Sequence, residues 1–294
     1  MLFLPLFTSL CWALTPYFFT EAEKKIGINQ LNADRLLFAA IMLFFIALFL
    51  GLDFSVSLLQ YLFLVISGII GLVCGDYFLF LSFRKIGPRY SSVMMSSAPI
   101  FSFIGGVFLF DENIGIIGFI GIITTISGII IVVSNVKDSS SQNLKNHIAI
   151  NKFIFGIIAA LGQSIGILCI KQVYSYGALS GISATFFRIS ASAIILLLFL
   201  SLLGKYKNPV KVYKKDKIAL KYVLLGTLFG PVLGVSSSII SLEYIPVSIA
   251  QTLFSTSIIF MLPISHFIMK DKVNSKSIIG VIVAVMGIVL LTMF

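Results

Sequence analysis

One carboxylate stands far inside an apolar run. Asp76 lies deep in the stretch 58–82, with Arg84 eight positions further on. A charge in hydrocarbon is costly, so an acid kept there faces a cavity or a partner as a rule. Two readings follow. As a working group, Asp76 is a coupling site for a proton or cation. An acid that is wetted in only one conformation holds its proton according to conformation, and so links proton movement to a two-state change. As a structural group, it pairs with Arg84 or caps a neighbouring helix.

Other side chains could bind a solute. Trp12, Tyr17 and Tyr77 offer aromatic faces for apolar or cationic parts of a substrate. Their plain alternative is packing or interfacial anchoring, and the chain has 28 Phe that do the same. Gln163 and Lys171 are eight residues apart and so share one helical face. Gln163 suits a substrate hydrogen bond, whereas Lys171, near a run's end, suits snorkelling to the surface. Gln251, Thr252 and Ser255 form a polar patch at i, i+1, i+4, and Ser96 and Ser97 stand near the corresponding place in the first half. Small and hydroxyl residues also glue membrane helices together. Pro16 and Pro99 are candidate helix breaks. Arg35 and Arg188 read as matching structural cations, Gly71 and Gly75 as a close-packing pair, and His266 as a packing residue.

These residues do not compose a catalytic set. An intramembrane aspartyl protease needs two buried aspartates sharing a proton. Asp53, Asp111 and Asp271 sit at run ends, and Val73-Cys74-Gly75 before Asp76 lacks the first glycine of Gly-x-Gly-Asp. Ser236 and His266 have no glycine-rich oxyanion segment to serve them. The phosphate-loop pattern Gly-x4-Gly-Lys-Ser/Thr does not occur. The sequence therefore predicts no enzyme, no cofactor and no metal site, with energy drawn from a gradient or from the substrate.

The elements that must carry these groups are membrane helices. The chain is 59% hydrophobic and 11% charged over 294 residues, where a soluble domain averages about a quarter charged. Runs long enough to span, about 20 residues each, fall near 2–20, 34–51, 58–82, 88–110, 114–134, 152–174, 180–203, 219–241, 246–269 and 277–294. They do not alternate in polarity as barrel strands would. The first has no basic residue before it and reads as a permanent helix rather than a cleaved signal. Cys11, Cys74 and Cys169 fall within the runs, which implies no disulfide framework.

The ten runs divide five and five around 135–151. Glu112, Gly121 and Gly128 match Asp271, Gly280 and Gly287 at an offset of 159, as Gly71 and Gly75 match Gly230 and Gly234. At this offset Asp76 meets Val235, so the fold itself does not require the acid. Arg35, assigned to the first loop, matches Arg188 more loosely. The expected organisation is a repeat over 1–134, a linker over 135–151 and a second repeat over 152–294. Basic loops are the first and third of one half but the second and fourth of the other, so the copies must lie inverted in the membrane. All but Lys171 and Arg188 of the 21 basic residues then lie at one face, which should be cytoplasmic, with both termini outside. That topology also accounts for the formal charge of +10 without nucleic acid.

At this point the sequence resembles the drug/metabolite transporter superfamily, of the EamA-like ten-helix type, over nearly its whole length. Trp12 closes an early Leu-Cys-Trp, Arg35 opens the second span, and GDYFLFLSFRKIGPRYSSVMMSSAPIFSFIGGVFLFDE (75–112) resembles the family's third and fourth helices. GIITTISG and GVIVAVMG resemble the last helix of each repeat. The second copy departs from the pattern, with Gln163 where a Trp is expected and Ser257 or Ile258 in place of the proline. The resemblance implies a multi-pass plasma-membrane transporter that moves a small metabolite, an amino acid or similar, by alternating access. A lipid or lipid-linked sugar flippase and a channel are the alternatives. The implied partners are the solute and membrane lipid, and a homodimer is compatible with the pattern. Relatives are drawn with cytoplasmic termini; the basic-loop asymmetry here places them outside.

Overall fold

In the computed structural model the described residues are all except 1–2, 52–54, 111–114, 135–146, 245–246, 269–274 and 292–294, and a few side chains within the helices. Among them there are helices and no strands. The elements are α1 (Phe3–Ile26), α2 (Ile28–Phe49), α3 (Leu58–Ser67), α4 (Asp76–Ile86), α5 (Pro88–Met95), α6 (Ala98–Phe110), α7 (Ile116–Ser134), α8 (His147–Ser175), α9 (Gly181–Leu202), α10 (Pro209–Lys215), α11 (Lys217–Thr227), α12 (Ser236–Tyr244), α13 (Val247–Ser255), α14 (Ser257–Phe267) and α15 (Ser275–Leu291). Two π-helical segments, π1 (Gly68–Gly75) and π2 (Leu228–Val235), join α3 to α4 and α11 to α12. Seven of the resulting rods are long and apolar enough to cross a membrane, and three shorter apolar helices take the remaining expected places.

Large apolar side chains such as Phe45, Leu48, Phe119, Ile123 and Leu198 remain exposed. On a chain this apolar the outer surface suits lipid, since nothing drives such a face into water. Single glycines turn the chain at the basic end: Gly27 (φ 81) between α1 and α2, and Gly87 (φ 82) between α4 and α5. Only glycine enters that region without strain. Pro88 then starts α5, where its missing N–H costs nothing.

The two halves pack reciprocally. α1 lies against α11, π2, α12, α13 and α14, while α8 lies against α3, π1, α4, α5 and α6. α2 meets α9 through Ala33, Leu36, Ala39 and Leu43 on one side and Ile189, Ala193, Leu196 and Leu200 on the other. α7 lies directly on α15, backbone against backbone. A Cβ at Gly128 would strike the Gly280 carbonyl at 2.6 Å and the Ala284 backbone, and one at Gly287 would strike the Gly121 carbonyl at 2.7 Å and the Thr125 backbone. These contacts map onto each other at the offset of 159. As α7 advances from Gly121 to Gly128, its partner on α15 retreats from Gly287 towards Gly280, so the two helices run antiparallel.

Two expectations need correction. α2 begins at Ile28 and places Arg35 two turns inside it, 2% exposed, so Arg35 is not a loop residue. α1 runs unbroken through Pro16, so that proline is no break. A real break falls at Ser96 and Ser97, just before Pro99 on the first turn of α6. The repeat partners Glu112 and Asp271 lie outside the described residues.

Candidate functional site

Between the halves lies a cavity of about 140 Å³. α1 contributes Trp12, Thr15, Pro16 and Phe19; α2 contributes Arg35; π1 and α4 contribute Leu72, Asp76, Phe80 and Phe83; and α5 contributes Ser92 and Met95, followed by Ser96 at the break. The second half supplies Gln163 and Ile167 from α8, Pro231 and Val235 from π2, and Gln251, Phe254 and Ser255 from α13. Trp12 stands against Phe254, ring centroids 5.3 Å apart.

The polar wall is a buried cluster around Asp76. Arg35 Nη2 lies 2.7 Å from Asp76 Oδ2, and Gln163 Nε2 donates to Asp76 Oδ1 at 2.6 Å. Arg35 is itself fixed: Nε and Nη2 donate to Asn32 Oδ1 at 3.0 and 2.7 Å, and Nη2 also donates to the Leu72 carbonyl at 2.8 Å. Its guanidinium lies over the Phe80 ring at 5.0 Å and near Phe19 at 5.8 Å. Asn32 Nδ2 in turn donates to the Val73 carbonyl, and Gln163 Nε2 to that of Gly71. Three successive carbonyls of π1 therefore take side-chain donors. A π turn loosens the normal ladder, and here it presents Gly71, Leu72 and Val73 to Gln163, Arg35 and Asn32.

Arg188 reaches the same cluster from α9. It is 3% exposed, and its charge interacts with Asp76, Arg35 and the Cys169 thiol. Its guanidinium passes between two glycines: a Cβ at Gly71 would come within 2.8 Å of Nη2, and one at Gly166 within 3.0 Å. α2 and α9 each have 22 residues, and Arg35 and Arg188 each stand eighth. The two repeats thus send equivalent arginines towards one acid. The expected partner of Asp76, Arg84, is instead mostly exposed, with Nε 3.8 Å from Glu23 Oε1. Eight residues of helix rise about 12 Å, too far for a side-chain pair.

The glycine pair works as spaced. The Cβ that Gly162 lacks would sit 3.1 Å from the Gly75 Cα, so α8 lies directly on π1. In the second half Trp12 covers Gly234, its Nε1 2.6 Å from the Cβ position. Asp76 with Gln163 on one side thus faces Val235 with Trp12 on the other. The break at Ser96–Ser97 and its counterpart at Thr256, between α13 and α14, are both tied to the opposite half. Ser164 Oγ donates to the Ala98 carbonyl at 2.7 Å, and Thr256 Oγ1 donates to Ser9 Oγ at 3.1 Å.

Not every candidate enters the cavity. Tyr17 packs on Phe18 and Tyr222. Tyr77, one residue and hence about 100° round from Asp76, turns outward beside Phe78 and is 37% exposed. The Thr252 side chain lies outside the described residues. Ser96, Gln251 and Ser255 line the cavity with hydroxyls and amide largely engaged: Ser96 Oγ donates to Ser92 O, Ser255 Oγ to Gln251 O, and Gln251 Nε2 to Ser102 Oγ. Among the described residues no cluster of His, Cys, Asp and Glu could hold a metal.

A second polar knot, unforeseen from the sequence, closes the basic end. Asp34 accepts hydrogen bonds from Gln30, Tyr206 and Tyr213. Gln30 also exchanges hydrogen bonds with the Lys207 backbone at 3.0 Å. Burial and the adjacent Asp34 hold the Tyr213 phenol above its ordinary range. Asp216 caps α11 through the Ala219 N–H and pairs with Lys25; the cap and that pairing hold its carboxyl below the usual carboxylate range. These bonds pin the lysine-rich segment 204–221 onto the first half.

This two-halved helical bundle has known relatives. The EamA-like transporter family model matches residues 1–134 and again 151–293. The chain belongs to the EamA-like transporter family. An uncharacterized transporter of Clostridium kluyveri is 29% identical over 144 residues, 47% of this chain and 43% of that protein. The matched region thus spans less than half the length of that curated relative. A solved crystal structure of 14% identity superposes with a TM-score of 0.70 over 98% of this chain and 94% of its own, a likeness of fold. The chain is accordingly a multi-pass membrane protein of this family.

Proposed function

We propose that this EamA-like protein is a secondary carrier that moves a small metabolite, an amino acid or similar, across the plasma membrane by alternating access between inverted halves. The observation that carries the proposal is the cavity: both halves line it, and a buried Arg35–Asp76–Gln163 cluster joins them across it. The antiparallel α7–α15 contact supports the inversion. Asp76 is the coupling residue. A proton delivered to it would weaken its pair with Arg35 and bias the same equilibrium that substrate biases.

Counterflow in proteoliposomes tests this, with solutes first chosen by thermal shift from amino acids, nucleosides and sugars. A carrier shows stimulation by solute on the trans side, and Asp76→Asn is expected to remove the response to an imposed pH gradient. Flux without trans-stimulation would indicate a channel, and lipid movement alone a flippase. We further propose that both termini face away from the cytoplasm. Moving Arg35 out of the loops leaves the asymmetry standing, since Lys24, Lys25, Arg84, Lys85 and the lysines of 204–221 share one end. A reporter active only in the cytoplasm, fused after Phe294, is expected to be silent; strong activity would reverse the orientation.

A further inference from the structure

We infer that the cavity takes a small organic monoanion, a carboxylate on an apolar body about the size of one six-membered ring, and that Arg35 receives that carboxylate. The inference rests on the transport reading and narrows its substrate class from amino acids and similar metabolites to carboxylates that carry no ammonium. Charge carries it. At the centre of the bundle two guanidiniums, Arg35 and Arg188, face one carboxylate, Asp76. Arg188 Nε and Nη2 are buried and have no hydrogen-bond partner among the described residues. A buried cation short of a counter-charge is costly, and an anionic ligand supplies what is missing.

The geometry shows where that ligand goes. Arg35 and Asp76 both line the cavity, so a carboxylate in it competes with Asp76 for Arg35. Asp76 is not then stranded. The orphaned Arg188 Nη2 lies against Gly71 and Gly166, whose missing side chains leave it space, and the Gln163 amide that already holds Asp76 reaches the same glycine, Gly71. With ligand bound, two cations meet two carboxylates. A zwitterion would bring an ammonium that finds no second acid at this cluster. Most of the remaining wall is ring and aliphatic surface, the Thr15, Ser96, Gln251 and Ser255 side chains donating within the protein, and about 140 Å³ is close to the roughly 150 Å³ that accommodates benzene in an apolar protein cavity.

Trp12, the chain's only tryptophan, lines the cavity and reports binding directly. The probe is cyclohexanecarboxylate, with cyclohexanecarboxamide as its neutral counterpart, titrated against protein in nanodiscs. The carboxylate is expected to change Trp12 fluorescence saturably and to bind about tenfold or more tightly than the amide. Asp76→Asn removes the competitor and should tighten the carboxylate while leaving the amide unchanged; Arg188→Gln should weaken the carboxylate. Equal binding of the two probes, or weaker carboxylate binding in Asp76→Asn, overturns the inference. Should Arg188→Gln fail to fold, the sign of the Asp76→Asn effect still decides. Exchange of a neutral or zwitterionic solute without carboxylate binding would sink the substrate class and leave the carrier standing. Carboxylate binding without counterflow would do the reverse.

Discussion

Asp76 changes meaning once its neighbours are known. From the sequence it was an isolated acid with Arg84 as the nearest candidate partner along the chain. In the fold it is one member of an ion pair whose other member, Arg35, enters from a different helix and is anchored by Asn32 and the Leu72 carbonyl. Removing one partner of a buried pair leaves an uncompensated charge and costs roughly 3–5 kcal/mol, whereas removing both costs far less. Arg35→Gln and Asp76→Asn singly are therefore expected to lower stability more than the double variant does, read by thermal unfolding in a double-mutant cycle. Additive losses would mean that the two side chains do not act as a pair. The acid was legible because charge is rare in this chain. Its partner was not, because apolarity alone set the start of the second span near residue 34, which left Arg35 at the span's edge and its charge counted with the first loop.

At the scale of elements, glycine spacing was the most informative signal. The offset of 159 paired Gly121 with Gly280 and Gly128 with Gly287, and at these four residues α7 and α15 meet backbone to backbone. Gly128→Ala should cost about 1–3 kcal/mol, the usual range for overpacking, because the new methyl meets backbone that cannot yield. Gly71→Ala should cost less, since it meets the far end of the Arg188 side chain. Comparing the two melting temperatures checks this, and equal losses would contradict the packing described for α7 and α15. The π segments escaped the sequence reading. Hydropathy integrates over a span and does not register a change of helical period, although Pro231 inside an apolar run marked one of them. The Asp34 knot was missed for another reason: Tyr206 and Tyr213 lie over 170 residues away along the chain, and no local pattern links them to it.

For the whole molecule, the bundle of membrane helices was readable because lipid leaves the backbone so few choices. Which residues meet at the centre was not readable, since it depends on how two copies cross. The central claim is that this meeting point opens alternately to the two sides of the membrane. Ser255→Cys tests it most directly, in a chain whose own Cys11, Cys74 and Cys169 have been replaced. An impermeant maleimide would be applied to right-side-out and to inverted vesicles. Alternating access requires labelling of Cys at 255 from both sides, with protection from both sides by a bound solute. Labelling from one side only, whatever solute is present, would contradict it.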